Sequence, residues 1–171
     1  PSPTNAQHVI EDLNGKVDMI IDSGSTLVGV ESTVLDMSSE VPTILRPGGI
    51  TYEDLLTIFP EVQYDMSIIK EDENIVPKSP GQKYKHYAPK AKMIVFVGDL
   101  NKVALNINNL ASKYIFEGKK VGIMATEETL NKYKKGHIID VGSRENPETI
   151  AQNLFKVLRD FDELGVDIIL A

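Results

Sequence analysis

The sequence predicts an α/β fold in two parts that are joined by an irregular linker. Over residues 1–59, short apolar runs alternate with Gly, Ser and Pro, a pattern typical of strands, tight turns and short helices. Periodicity disappears over residues 61–92, and from Met93 onward strand and helix patterns alternate as in a Rossmann-like parallel sheet. We therefore expect part of one α/β domain over 1–60, a linker over 61–92 and a Rossmann-like domain over 93–171.

The first part contains two predicted helices and three predicted strands. Thr4 or Asn5 can cap a helix that ends near Gly15, because short polar side chains bond the unpaired amides of a first helical turn. Thr51 can cap a second helix, which Pro60 ends. The strand candidates are residues 17–22, 32–37 and 42–45.

The second part contains four predicted strands and three predicted helices. The strands are residues 93–97, 120–125, 137–141 and 166–171. The helices are one through residues 103–114 that Gly118 closes, one from Thr126 to about 133, and one that starts at 146–148 and ends at Gly165. The last strand lacks the helix that normally covers a parallel strand, and residues 1–59 are too few for an independent core. We therefore expect the chain to be truncated at both ends.

Composition and charge exclude several classes of protein. Of 171 residues, 42% are hydrophobic and 25% are charged. No apolar run approaches the ~20 residues that cross a bilayer, and the start lacks the pattern of a signal peptide, so we expect a soluble protein without a membrane partner. The absence of cysteine excludes disulfides and thiolate sites and favours the reducing cytoplasm. A net charge of −7 argues against a non-specific nucleic-acid binder.

Metal sites and catalytic nucleophiles are not predicted. His8, His86 and His137 lie far apart in the sequence, with no carboxylate at the spacing of metal ligands. A Gly-x-Ser-x-Gly elbow is absent, and the nearest similar stretch, residues 22–26, has the composition of a turn. The glycine-rich fingerprints of nucleotide-binding loops are absent as well.

Two segments of the first part could bind a charged ligand. Residues 29–36 combine a glycine with the hydroxyls of Ser32 and Thr33, which suit a phosphate or the charged groups of an amino acid, although an ordinary strand explains them equally well. Arg46 stands at the end of an apolar strand, where its guanidinium could clamp a phosphate; the alternative is a surface arginine paired with Glu40 or Glu53.

A third segment, residues 79–89, lies in the linker. It interleaves Lys83, Lys85 and His86 with the rings of Tyr84 and Tyr87, between prolines that restrict its backbone. Such a segment could lie over a bound nucleotide, with a ring stacked on the base and cations facing the phosphates. The alternative is a solvated linker.

Five motifs follow one another along the chain. They are Ser2-Pro3-Thr4, then His8-Val9 with Asp12-Leu13 and Gly15, then Glu31-Ser32-Thr33-Val34, then Ile44-Leu45-Arg46-Pro47-Gly48, and finally Ser79-Pro80-Gly81 with Lys83-Tyr84-Lys85-His86-Tyr87-Ala88-Pro89. In order and spacing they resemble the long form of L-threonylcarbamoyladenylate synthase, the YrdC-like family. The likeness covers residues 1–92, and the remainder is similar to that family's second, Rossmann-like domain in position and pattern.

The resemblance implies a reaction and its site. Members of the family condense L-threonine, bicarbonate and ATP to threonylcarbamoyl-AMP and pyrophosphate in a cavity of a twisted sheet. A threonylcarbamoyl transferase complex then modifies the adenosine beside the anticodon of tRNA. By motif match, ATP is contacted by Ser2, Arg46 and Tyr87, L-threonine is bound by Ser32, and Lys83, Lys85 and His86 belong to a lid.

The resemblance also implies what the chain lacks. Mg²⁺ is expected to be bound through the ATP phosphates, direct tRNA binding is not expected, and no protein nucleophile is required. Gln82 departs from the methionine that is usual in the linker motif. Because further cationic and polar groups of the family precede the part matched here, we expect this chain alone to be inactive. The competing hypothesis is a non-catalytic, Rossmann-like regulatory or protein-binding module.

Overall fold

A computed structural model describes residues 1–69 and 88–171, which fall into two compact units. Within the described residues, the terminal unit consists of 1–29 together with 88–171, and the central unit consists of 30–69. The helices are α1 (Ala6–Leu13), α2 (Tyr52–Leu56), α3 (Met66–Ile69), α4 (Leu100–Phe116) and α5 (Pro147–Leu164). The strands are β1 (Val34–Asp36), β2 (Thr43–Arg46), β3 (Gln63–Tyr64), β4 (Lys92–Ile94), β5 (Val121–Ala125), β6 (His137–Asp140) and β7 (Ile168–Leu170).

The terminal unit is built on a parallel sheet. Its strands lie in the order β4-β7-β5-β6, and every neighbouring pair is parallel. Asp99 accepts bonds from the backbone N–H groups of Asn101 and Lys102 and thereby caps α4, while α5 has Pro147 in its first turn and ends at Gly165, whose φ is +61°. The predicted Rossmann-like alternation is confirmed by these elements.

The core of the terminal unit is mostly aliphatic, with the rings of Tyr133, Phe155 and Phe161. Its largest fully buried side chains are Ile107, Val121, Ile123, Val157, Phe161, Ile169 and Leu170. Helix α5 approaches β5 closely because Gly122 has no side chain: a Cβ there would lie 2.7 Å from the ring of Phe161. The described helices include none that is long and apolar enough to cross a membrane.

The central unit is a small mixed sheet. Strand β1 pairs antiparallel with β2, with an irregularity between Val34 and Leu35, and β2 pairs parallel with β3. Helix α2 begins with a capping box, in which Thr51 and Asp54 each accept a hydrogen bond from the other's backbone N–H. Its hydrophobic core cluster consists of Ile44, Leu55 and Val62.

The structure differs from the sequence prediction at three places. Residues 17–22 form no strand: Met19 and Ile21 are 77% and 84% exposed, and an apolar run pairs only where a partner strand lies alongside. Residues 63–69, assigned to the linker, contain β3 and α3, which are too short to show a period. The helix predicted at Thr126 is a turn and one 3₁₀ turn, because the Thr129 hydroxyl bonds the backbone of Thr126.

The compact units of the structure are divided at other residues than the predicted domains, whose bounds remain a prediction. Residues 1–29 cluster with the C-terminal part rather than with residues 30–60. Bonds from Arg159 of α5 to Pro1, Ser2 and Asp12 join the two stretches of this unit, and the pattern of a single segment does not reveal such long-range bonds.

Candidate functional site

Three of the predicted site residues lie in the part of the chain that the structure describes. Ser2 belongs to the terminal unit, and Ser32 and Arg46 belong to the central unit. Tyr87, Lys83, Lys85 and His86 lie outside the described residues, so their predicted roles remain predictions.

Arg46 and Ser32 are in contact. The guanidinium of Arg46 donates to the backbone carbonyl of Ser32 from Nε at 3.1 Å and from Nη2 at 2.9 Å. Nη2 also lies 3.4 Å from the Ser32 hydroxyl oxygen. Two residues assigned to ATP and to L-threonine by resemblance are thus neighbours. Among the described residues, Arg46 forms no ion pair with Glu40 or Glu53.

The orientation of Arg46 leaves cationic surface for a ligand. Contacts with the described residues use Nε and Nη2, so Nη1 keeps both of its N–H groups available in that part of the chain. Arg46 is also the only Lys or Arg in the sequence over residues 30–69, where the acidic residues are Glu31, Asp36, Glu40, Glu53, Asp54, Glu61 and Asp65. Among residues 30–69 of this unit, Arg46 is therefore the one basic side chain that an anion can meet.

The segment that carries Ser32 is held against the turn after β2. The backbone N–H of Gly49 donates to the Glu31 carbonyl at 3.1 Å, and that of Ile50 donates to the Thr33 hydroxyl at 3.2 Å. A Cβ on Gly48 would lie 2.3 Å from both the Glu31 carbonyl oxygen and the Thr33 nitrogen. The glycine of the Arg-Pro-Gly motif therefore permits two backbones to meet, and this contact exposes the Ser32 side chain.

Ser2 lies in a segment that is fixed from two sides. On one side, Arg159 of α5 donates from Nη2 to the Pro1 carbonyl at 2.6 Å and from Nε to the carbonyls of Pro1 and Ser2 at 3.0 and 3.4 Å. On the other side, the Thr4 backbone N–H donates to Nδ1 of the buried His8 at 3.1 Å. Ser2 is therefore anchored through its backbone, while its own side chain is half-buried.

Arg159 and His8 are functional candidates that the sequence analysis did not identify. Arg159 is only 9% exposed and forms a two-pronged bond with Asp12, Nη1 to Oδ1 at 3.2 Å and Nη2 to Oδ2 at 2.6 Å. The available signal was an arginine between the buried positions Leu158 and Phe161 of α5. The hydrogen bond from Arg159 lowers the pKa of the Asp12 carboxyl below its usual range.

The pKa of His8 is lowered by its surroundings. Burial is the largest cause and the positive charge of Arg159 the second, while Glu11, Asp160 and Glu163 oppose them. His8 therefore stays neutral in the folded protein at neutral pH, with Nδ1 as the acceptor for Thr4.

Acidification should destabilise the folded protein through His8. Because the folded-state pKa lies below the ordinary value of about 6.5, the unfolded chain binds the proton more readily. We expect the midpoint of urea unfolding to be highest above pH ~6.5, to fall as the pH drops through the lowered pKa, and then to level off. Asp12 contributes only at lower pH, since its own pKa is depressed.

The control for this prediction is His8→Gln, which removes the titrating group. The difference in unfolding midpoint between the two proteins should change between pH 7.5 and 5.5. A difference that stays constant over that interval would show that His8 has its ordinary pKa.

Among residues 1–69 and 88–171, no group of three or more His, Asp or Glu side chains could hold a metal ion. In that part, the chain offers no protein cage for Mg²⁺.

Two family models together match nearly the whole chain. One, described as "Threonylcarbamoyl-AMP synthase, C-terminal domain", matches residues 50–171. The other, described as "Telomere recombination" and named for Sua5, YciO and YrdC, matches residues 1–48.

Relatives of known name match the chain over its full length. It is 43% identical to the threonylcarbamoyl-AMP synthase of Pyrococcus abyssi and 41% identical to that of Bacillus subtilis, in each case over 100% of this chain and 48% of the relative. The chain thus spans about half the length of these curated relatives. Among solved structures, Sua5 of P. abyssi in complex with L-threonine matches with a TM-score of 0.88 at 42% identity, covering 100% of this chain and 48% of that one.

Proposed function

The chain belongs to the threonylcarbamoyl-AMP synthase family, and on that premise we propose that it forms part of an enzyme that condenses L-threonine, bicarbonate and ATP to threonylcarbamoyl-AMP and pyrophosphate. The observation that carries the proposal is the contact between Arg46 and Ser32. It supports a site in which a phosphate and an amino acid lie side by side. The names of the relatives favour this function over a non-catalytic module.

Ser32 and Arg46 have complementary roles in the proposal. The exposed hydroxyl of Ser32 bonds a charged group of L-threonine, and the outer edge of the Arg46 guanidinium bonds an ATP phosphate. Their separation of 3.4 Å then brings the two substrates together.

The reaction needs positioning and charge stabilisation rather than a protein nucleophile. The threonine amine adds to bicarbonate with loss of water, and an oxygen of the resulting carbamate attacks the α-phosphate of ATP as pyrophosphate leaves. Negative charge develops on the transferring phosphoryl group, where a fixed cation such as Arg46 stabilises it. Ser2, held through its backbone, contacts the nucleotide. Mg²⁺, bound through the phosphates, would neutralise further charge, and no step is derived through it.

The linker residues complete the proposed site. Tyr87 contacts the nucleotide, while His86, Lys83 and Lys85 belong to a lid that limits the access of water to a hydrolysable mixed anhydride. These residues lie outside the described ranges, and the proposal for them rests on the motif at 79–89.

The product is consumed by a second enzyme in this proposal. A threonylcarbamoyl transferase complex places the threonylcarbamoyl group on the adenosine beside the tRNA anticodon, so this chain itself has no need to bind tRNA. The reaction takes place in the cytoplasm, which the absence of cysteine supports.

Replacing Ser32 tests the threonine site. In the full-length protein, meaning this chain lengthened at both ends to the length of its relatives, we expect Ser32→Ala to raise the KM for threonine about 10- to 100-fold. This is the range for one lost hydrogen bond to a charged group. The KM for ATP should change much less. Both constants are obtained from the rate of pyrophosphate release.

Ser39→Ala is the matched control, because its hydroxyl is exposed in the same unit and donates to the Val41 carbonyl at 2.9 Å. It should leave both constants unchanged. An unaltered KM for threonine in Ser32→Ala would contradict the assignment.

A further inference from the structure

Arg159 concentrates its hydrogen bonds on the segment that contains Ser2. All three of its guanidinium nitrogens are engaged: Nε and Nη2 bond the carbonyls of Pro1 and Ser2, and Nη1 and Nη2 bond the Asp12 carboxylate. These partners lie 147 to 158 residues away in the sequence. Arg159 is only 9% exposed. Burying a charged side chain costs free energy unless its donors are hydrogen-bonded, and the bonds to Pro1, Ser2 and Asp12 meet that requirement.

We propose that Arg159 is a positioning residue for the ATP site: by holding the carbonyls of Pro1 and Ser2, it sets the backbone from which the Ser2 side chain reaches the nucleotide. The inference rests on the proposed function and adds a residue that acts through Ser2 without touching substrate. Through Arg159, α5 would thus help to position the ATP-binding segment of the full-length protein.

Ser2 lies between two points at which its backbone is held. Residues 1–4 belong to no helix or strand. The next fixed point is Thr4, whose N–H donates to His8 and whose carbonyl accepts from the Thr26 N–H at 2.9 Å. Between Thr4 and the Arg159 contacts lies one residue, Pro3, whose ring restricts φ. Arg159 thus holds the backbone at Pro1 and Ser2, on the other side of Pro3 from the contacts of Thr4.

The shape of the guanidinium is required for this task. Nη1 and Nη2 of Arg159 bind the Asp12 carboxylate, while Nε and Nη2 donate to the carbonyls of Pro1 and Ser2. The single ammonium group of a lysine cannot make both sets of bonds at once. Asp12 lies on α1, its side chain is 45% exposed, and its carboxylate fixes the orientation of the Arg159 guanidinium. Replacing either partner should therefore loosen Ser2 in the same way.

The two family models match different parts of this arrangement. Arg159 lies in the stretch matched by the C-terminal domain model, and Pro1, Ser2 and Asp12 lie in the stretch matched by the other. All these residues belong to the terminal unit. In this chain, the stretch matched by the C-terminal domain model therefore holds the backbone of the segment that contains Ser2.

The test compares steady-state constants of full-length variants. Arg159→Ala, Arg159→Lys and Asp12→Asn are assayed for pyrophosphate release with ATP and with threonine as the varied substrate. We expect the KM for ATP to rise about threefold to tenfold, the effect of one weakened hydrogen bond, and the KM for threonine to stay within twofold. Arg159→Lys should recover little. Lys156→Ala is the control, since the exposed Lys156 lies on α5 and pairs, within residues 1–69 and 88–171, with Asp160 alone.

The outcomes separate this inference from the proposed function. Should the unaltered full-length protein release no pyrophosphate, the proposed function fails, and titration calorimetry with ATP then tests whether Arg159→Ala weakens nucleotide binding. An active protein whose folded Arg159 variants keep the KM for ATP overturns the inference alone. An equal rise in both KM values shows a general structural role and overturns it too. If Arg159→Ala does not fold, Asp12→Asn decides by the same criteria.

Discussion

Replacing Arg46 by alanine should lower kcat/KM of the full-length protein by about 10²- to 10³-fold, the range for removing a group that stabilises charge in a transition state. The substitution removes the only basic side chain of residues 30–69. It also removes the two bonds that hold the Ser32 carbonyl. We therefore expect a fall in kcat together with a rise in both KM values. The rate of pyrophosphate release measures all three constants.

Arg46→Lys separates the charge from the bonds. An ammonium can stabilise a phosphate but cannot bond the Ser32 carbonyl with two nitrogens and still present an outer edge. We expect it to restore part of kcat and little of the threonine KM. Rates for Arg46→Ala within twofold of the unaltered protein would contradict the proposed role.

Gly48→Ala should abolish most of the activity by moving the segment that carries Ser32. The new Cβ would meet backbone atoms of Glu31 and Thr33 at 2.3 Å, and backbone cannot rotate away as a flexible side chain can. The two strand ends must separate, so we expect at least a tenfold loss of kcat/KM for threonine. Overpacking of this kind also costs about 1–3 kcal/mol of stability.

Gly122→Ala is the matched control for that substitution. It creates a comparable clash, 2.7 Å from the Phe161 ring, in the core of the terminal unit. We expect a similar loss of stability with little change in the KM for threonine, measured by urea unfolding and by the same assay. If both variants alter threonine KM equally, Gly48 acts through general stability and the local explanation is wrong.

Elements with local signals were predicted well. Helices α1, α4 and α5 have apolar residues at helical spacing and typical capping residues at an end. Asn5 caps α1 by accepting from the His8 N–H, Asp99 caps α4, and Gly165 ends α5 with a positive φ. The parallel sheet follows from strand and helix alternation, because a crossover connection imposes parallel pairing. These features depend on neighbours within a few residues.

Features that depend on distant residues were missed. Residues 17–22 have the composition of a strand, but pairing requires a partner that the segment itself does not specify. Strand β3 has two residues and therefore no alternation to detect. The bonds of Arg159 to Pro1, Ser2 and Asp12 join segments far apart in sequence, and a single charged residue on a buried helical face does not reveal its partner.

Residue chemistry alone predicted the candidate site only in part. It indicated that Ser32 and Arg46 could bind a charged ligand, but it explained both residues equally well by ordinary structural roles. The resemblance of five motifs selected them, and the structure adds the distance between them. Gly48 could have been suspected from its place beside Arg46, but its close approach to residues 31–33 needs the fold.

Substrate-dependent pyrophosphate release tests the central claim most directly. The full-length protein and this chain alone are each incubated with ATP, L-threonine and bicarbonate, and with each substrate omitted in turn. We expect release from the full-length protein only when all three are present, and none from this chain alone. Release that persists without threonine or without bicarbonate, or no release from the full-length protein, would contradict the proposed function.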